Sequence, residues 1–121
     1  MEDLLTQASM DIILNAGDAR MANFESIEAM LKGDLETAEL KIREAKELIT
    51  KAHKVQTDRI QGETRGEKSE YSLLFAHAQD TLMTINSEIL LTNKFKLVFE
   101  AYEKRIKILE NKVEKLIRDN A

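Results

Sequence analysis

Cysteine, proline and tryptophan are all absent from the 121-residue sequence. Without cysteine the chain can form no disulfide framework and has no thiol nucleophile, which fits a reducing compartment. Without proline the strongest helix breaker is missing over the whole length. Good helix formers such as Ala, Leu, Lys and Glu are abundant and β-branched residues are scattered, so the composition favours an all-α fold with one core.

Long apolar runs and a basic surface are also missing. No apolar segment approaches the roughly 20 residues that a membrane-spanning helix needs. The net charge is −4 with both signs mixed along the chain, which argues against a nucleic-acid partner because such a partner favours a basic face. The N-terminus, Met1-Glu2-Asp3, is acidic where a signal peptide is basic. We therefore expect a cytoplasmic protein, in which any role in membrane transport requires another chain for the membrane part.

The first helical segment, about Asp3 to Lys32, carries two apolar stripes at helical spacing. The first stripe consists of Leu5, Ala8, Ile12, Ala16 and Ala19. The second stripe consists of Met10, Leu14, Met21, Phe24, Ile27 and Leu31. Two stripes exceed what a helix hairpin can bury. Gly17 lies inside this pattern, where it costs about 1 kcal/mol relative to Ala, and close packing of another backbone is the simplest reason for it.

The second helical segment follows a stop and a restart at Gly33 and Asp34. Gly33 suits the left-handed residue after a helix, and Asp34 suits the next N-cap. We expect this helix to run from about Leu35 to Ile60. Its inner stripe is predicted to be Leu35, Ala38, Ile42, Ala45, Ile49, Ala52 and Gln56.

The third helical segment is much longer. Gln61–Lys68, with two glycines, is predicted to be a loop, and Ser69 to be the next N-cap. From Glu70 to about Arg118 the sequence contains no glycine and no proline, which predicts a helix of roughly 70 Å. Its last part has apolar residues spaced alternately by four and three, the pattern of a coiled-coil heptad. These residues are Phe95, Phe99, Tyr102, Ile106, Leu109, Val113 and Leu116. The predicted architecture is an up-down antiparallel three-helix bundle, like a spectrin repeat, with a coiled-coil tail.

Chemistry in this chain depends on very few residues. It has two histidines, His53 and His77, and neither a glycine-rich phosphate loop nor an HExxH motif. His77 and Asp80 are three residues apart, so they project from nearly the same side of the helix. From spacing alone, a histidine held by a neighbour inside a core is the commoner explanation of such a pair. His53, one turn from Gln56, has the same structural explanation.

Three ordered motifs change this interpretation. The run His77–Thr84, which reads His-Ala-Gln-Asp-Thr-Leu-Met-Thr, resembles the active-site segment of the IIA component of the lactose/cellobiose-type (lactose/chitobiose) sugar phosphotransferase system. Asn15–Arg20 looks like the first-helix motif of that family, and Ala52–Thr57 looks like its second-helix motif. The Gly33-Asp34 turn also falls at the expected position. The resemblance extends from about Leu4 to Tyr102.

The resemblance implies a function and a partner set. Members are three-helix bundles that associate as parallel homotrimers. The resemblance makes His77 the phosphoacceptor, which receives phosphate from the phosphohistidine of the carrier protein HPr. His77 then passes the phosphate to a cysteine of the IIB component, and a β-linked disaccharide is phosphorylated as it enters through the membrane IIC component. We expect Gln79, Asp80 and His53 to support the site.

The resemblance also bears on cofactors. The chemistry requires none. The family's Asp, here Asp80, lies near the threefold axis, and in some members three copies hold a divalent metal ion such as Mg²⁺. Three carboxylates that converge on an axis repel one another unless a proton or a cation intervenes.

Two features depart from the family pattern. Thr81 stands where the family usually has a second histidine, which places in question the role of that imidazole near the axis. Members commonly end near Lys104, so we divide the chain into a IIA domain, 1–104, and a coiled-coil extension, 105–121.

The extension is expected to continue the trimer core as a parallel three-stranded coiled coil, rather than to fold back or to pair with another trimer. This expectation rests on the residues that lie close to the line of Asp80 on a straight helix. They are Leu91, Val98, Tyr102, Leu109 and Leu116. A different hypothesis is a structural or regulatory coiled-coil trimer that keeps the scaffold without the phosphate relay.

Overall fold

A computed structural model describes residues 2–68 and 71–121, with side chains from Leu4 onward. Within these ranges the chain forms three α-helices and no β-strand: α1 (Glu2–Leu31), α2 (Leu35–Thr64) and α3 (Leu73–Asp119). The predicted all-α fold with three helices is confirmed. None of the described helices has the length and apolar character needed to cross a bilayer.

The turn between α1 and α2 has the predicted caps. Gly33 has φ of 76°, and the amides of Gly33 and Asp34 donate to the carbonyls of Met30 at 3.0 Å and Ala29 at 2.9 Å, which closes α1 with a Schellman motif. Asp34 accepts hydrogen bonds from the hydroxyl of Thr37 at 2.7 Å and its amide at 3.1 Å. These two donors, the hydroxyl first, hold the pKa of the Asp34 carboxyl below its usual value.

The end of α2 was predicted wrongly. The helix continues one turn past Ile60 to Thr64, so the first four residues of the predicted loop are helical. The left-handed residue that ends the helix is Gly66, with φ of 93°. The amide of Gly66 donates to the carbonyl of Glu63, and the amide of Glu67 donates to the carbonyl of Gly62. Because these bonds close the helix at Gly66, Gly62 is an interior residue of α2.

The N-cap of α3 is Ser72, whose hydroxyl oxygen accepts a hydrogen bond from the amide of Phe75 at 3.1 Å. The predicted cap, Ser69, and the predicted first helical residue, Glu70, lie outside the described residues. From Leu73 the helix is continuous to Asp119.

The three helices pack around a core of small side chains. α1 and α2 run antiparallel, because near their turn the Ser26 hydroxyl donates to the Ala38 carbonyl at 2.8 Å and Glu25 pairs with Lys41 at 3.0 Å. α3 is tied to α1 by Arg20, which donates two hydrogen bonds of 2.9 Å to Glu88. More than half of the main core residues are alanines, which let the helix axes approach closely. The core residues are Ile12, Ala16, Ala19, Ala22, Ala45, Ile49, Ala52, Ala78, Leu82, Ile85 and Ile89.

The second apolar stripe of α1 remains exposed in the single chain. Leu14 is 60% exposed and Met21 61%, and the other four members are also exposed. The expectation that Gly17 packs against another backbone is wrong within the single chain. Gly17 is exposed, and a Cβ placed there would meet no atom within 4 Å. One bundle therefore covers only the first stripe of α1.

The C-terminal part of α3 extends beyond the bundle. The last buried residue of α3 is Lys96, and every residue from Ala101 to Ala121 is exposed. The helix therefore projects roughly 30 Å past Glu100 without contacting its own bundle. A tail that folds back onto the chain is excluded, because the helix has no break before Asp119.

Truncation of Leu82 tests the core. Leu82 is fully buried between the helices, so Leu82→Ala should lower the free energy of unfolding by about 2–5 kcal/mol, through lost apolar contact and the cavity left behind. Leu40 on α2 is 54% exposed, and Leu40→Ala should change it by less than about 0.5 kcal/mol. Urea denaturation measures both variants. An equal loss of unfolding free energy in the two variants would contradict the burial of Leu82 and the exposure of Leu40.

Candidate functional site

His77 emerges from the second turn of α3, beside the core. The next residue, Ala78, is fully buried, whereas His77 itself is exposed. The exposed ring excludes the explanation of His77 as a histidine inside a core. Side chains on a helix lean toward its N-terminus, so the ring leans toward Leu73 and Leu74 in the first turn of α3.

The two histidines lie at the same end of the bundle. Ala52 and Ala78 both belong to the main core, and the antiparallel course of α2 relative to α3 brings them to a similar level. His53 is therefore also near this level, and it is exposed on α2. Within the described parts of the chain no hydrogen bond joins the two rings.

Apolar side chains surround His77 on α3. Leu73 is 75% exposed and Met83 is 52% exposed, whereas Leu74 and Ala76 are half-buried. No Arg or Lys occurs on α3 before Lys94, so this helix offers no cation to the ring. The N-terminal side of the ring is therefore apolar, whereas Asp80 and Thr81 follow on its C-terminal side.

Asp80 and Gln79 occupy different sides of α3. Asp80 is exposed and projects from nearly the same side as His77, as the three-residue spacing predicts. Gln79 is half-buried and, two positions from His77, points away from it. Among the described residues neither side chain hydrogen-bonds to the His77 ring, so the structure assigns no orienting group within one chain.

Thr81 makes a contact with His77 that the sequence analysis missed. Its hydroxyl donates to the backbone carbonyl of His77 at 2.9 Å, a common bond from a helical threonine to the residue four positions earlier. The spacing of the two residues was a signal for it. The bond satisfies the Thr81 hydroxyl within the helix, directly behind the imidazole.

A single chain offers no metal centre in the part that the structure describes. No three His, Cys, Asp or Glu side chains come together there. Asp80 provides one exposed carboxylate per chain, so only several copies of Asp80 together could surround an ion. Carboxylate oxygens are ligands suited to Mg²⁺ or Ca²⁺.

Comparison with known sequences identifies a family. The model described as the lactose/cellobiose-specific IIA subunit of the PTS system matches residues 7–100. The chain is 45% identical to the lichenan-specific phosphotransferase enzyme IIA component of Bacillus subtilis (strain 168), over 69% of this chain and 76% of that protein. It is 38% identical to the PTS system lactose-specific EIIA component of Staphylococcus epidermidis, over 78% of this chain and 88% of that protein.

Solved structures agree with the fold. The PTS cellobiose-specific enzyme IIA from Bacillus anthracis is 38% identical, with a TM-score of 0.76 over 81% of this chain and 90% of that chain. PtcA from S. mutans is 32% identical, with a TM-score of 0.81 over 83% of this chain and 98% of that chain. Almost all of the second structure is matched by part of this chain, and the family match ends at residue 100, so the exposed tail lies beyond the shared domain.

Proposed function

The chain belongs to the lactose/cellobiose-specific IIA family of the sugar phosphotransferase system, and we propose that it carries phosphate on His77. In this proposal His77 accepts a phosphoryl group from the phosphohistidine of HPr and donates it to a cysteine of a IIB component. The observation that carries the proposal is the exposed imidazole of His77, in a chain with only one other histidine.

The chemistry requires two exchanges of one phosphoryl group. A neutral ring nitrogen, available on imidazole near pH 7, attacks the phosphorus of phospho-HPr, forming one N–P bond as the other breaks. A thiolate of IIB then attacks the same phosphorus, and the His77 nitrogen leaves. Phosphoryl transfer asks the protein mainly for positioning and charge stabilisation, which an exposed ring on a rigid helix and an incoming partner provide together.

The surroundings of His77 suit transfer in both steps. Phosphorylation adds a charge of roughly −1.5 to −2. α3 places no cation near the ring, so this helix does not stabilise the N–P bond, which favours a high transfer potential. The nearby N-terminus of α3 offers a weak favourable field that decays within the first turn. The exposed apolar residues Leu73 and Met83 suit brief docking of successive protein partners.

The class of sugar is inferred from the family and not from the site, because the proposed site contacts a phosphoryl group and partner proteins but no sugar. The related proteins are named for lichenan, lactose and cellobiose. We therefore propose that the relay ends on a β-linked disaccharide of the cellobiose, chitobiose or lactose class, which enters through the membrane IIC component.

Substitution of each histidine tests the phosphocarrier. With phosphoenolpyruvate and the general phosphotransferase proteins, His77→Gln should lose labelling completely, because the imidazole that accepts the phosphoryl group is gone. His53→Gln is the matched control and should keep most of the labelling. The label should be stable in alkali and labile in acid. Label retained in His77→Gln, or an unlabelled wild-type chain, would favour a structural coiled-coil protein without a relay.

The same proposal includes a parallel homotrimer, with residues 105–121 as its coiled-coil extension. The exposed stripe of α1 and the exposed residues Leu90 and Leu91 of α3 would be covered by neighbouring copies. Gly17 supports this arrangement, because a helix-weakening glycine in open space within an apolar stripe admits the close approach of another helix. Three copies of Asp80 would then face one axis, where their oxygens could hold a divalent cation.

Substitution of Asp80 by a neutral residue tests whether its carboxylate lies on the threefold axis. In the wild-type trimer, Mg²⁺ should raise the melting temperature because it screens three converging carboxylates. Asp80→Asn should raise the melting temperature in the absence of Mg²⁺ and remove the response to it. Asp58→Asn, which neutralises an exposed carboxylate on α2, should leave the response intact. Melting curves of Asp80→Asn that match those of the wild-type chain at every Mg²⁺ concentration would place Asp80 away from the axis.

A further inference from the structure

The tail of α3 presents an apolar seam that its own bundle leaves uncovered. In heptad terms Ile106 and Val113 occupy a positions, and Tyr102, Leu109 and Leu116 occupy d positions. Each of these five side chains is between 48% and 61% exposed. Because the seam is continuous over two heptads of a helix that contacts nothing else in the chain, another protein surface must cover it or it stays in water.

The charged residues beside the seam favour one orientation of a neighbouring helix. Two of the three e positions are acidic, Glu103 and Glu110, and two of the three g positions are basic, Arg105 and Lys112; the last e and g positions are Ile117 and Asp119. In a parallel coiled coil a g residue faces the e residue five positions later on its neighbour, so Arg105 of one copy meets Glu110 of the next. In an antiparallel coil e faces e and g faces g, so within the tail Glu103 and Glu110 would face each other or Ile117 and would gain no cation.

A contact within the tail already holds Arg105 beside the seam. Its guanidinium lies 5.5 Å from the centre of the Tyr102 ring, which is within the range of a cation–π interaction. The Tyr102 ring is itself a seam residue, so the arginine is ordered at the flank where a neighbouring Glu110 would arrive.

We infer that the tail seam binds the same seam of other copies of this chain, parallel and in register, as a stalk beyond the shared family domain. The inference rests on the proposed homotrimer for the number of strands, which is three. The face is continuous with the proposed trimer face, because Tyr102, Leu109 and Leu116 lie near the line of Asp80 on a straight helix. Ile117 at an e position, 65% exposed in one chain, would be covered in part by the second neighbour of a three-stranded coil.

Cysteine crosslinking tests orientation and register in the full-length protein. The native chain has no cysteine, so a single introduced thiol reports only on its own position. The variants are Leu109→Cys and Leu116→Cys on the seam, with Asn111→Cys on the opposite side of the helix as the matched control. Each is treated with a short bismaleimide at micromolar concentration and analysed by denaturing electrophoresis. His77 labelling of each variant is measured in parallel.

A parallel, in-register stalk predicts that both seam variants form covalent dimers in high yield, and that Asn111→Cys forms at least tenfold less. In an antiparallel pair at most one position can meet itself, so crosslinking of only one seam variant would overturn the inference. Leu116 lies roughly 24 Å beyond Glu100, so a bundle trimer with separated tails leaves Leu116→Cys uncrosslinked, which would also overturn it.

Failure of the stalk is distinguishable from failure of the relay. If the seam variants are labelled on His77 but do not crosslink, the stalk is wrong and the phosphocarrier stands. If they crosslink and are not labelled, the stalk is supported and the phosphocarrier is wrong.

Discussion

The apolar surface of α1 and α3 exceeds what one three-helix bundle can bury, and the rest of the structure depends on this excess. The core is made largely of alanines, which bring the helices close together and leave each of them with little inward surface. The larger apolar residues, such as Phe24 at 50% exposure and Phe95 at 59%, are left on the outside. Self-association is the simplest way to remove such a surface from water.

Because small residues form the core and larger ones lie outside, the proposed phosphoacceptor His77 lies on the surface next to a rigid part of the core. His77 directly precedes the buried Ala78, so a rigid part of the core positions an imidazole that is nevertheless open to a partner. The Thr81 hydroxyl donates to the His77 carbonyl, so it is satisfied within the helix behind the ring. α3 places no cation beside the ring, so this helix does not favour tight binding of the phosphate.

Helical periodicity predicted the elements of the fold well, because every helix carries at least one apolar stripe at helical spacing. The caps at Gly33 and Asp34 were predictable because each residue has one strong conformational reason to be there. The end of α2 was not, because two glycines four residues apart both look like helix ends, and only the hydrogen bonds at Gly66 show which one is used. The exposure of His77 could not be predicted from the sequence either. The three-residue spacing shows that His77 and Asp80 project from the same side of α3, but it does not show whether that side faces the core or the solvent.

The central claim is that copies of the chain cover the second apolar face, and sedimentation equilibrium tests it most directly. The account predicts a mass three times that of the 13.8 kDa chain at micromolar concentration. Gly17→Leu should fit freely in a single chain and strengthen α1, yet shift the mass toward the monomer, whereas Lys46→Leu on the exposed side of α2 should remain trimeric. A wild-type monomer, or a Gly17→Leu variant that associates as the wild type does, would contradict the account.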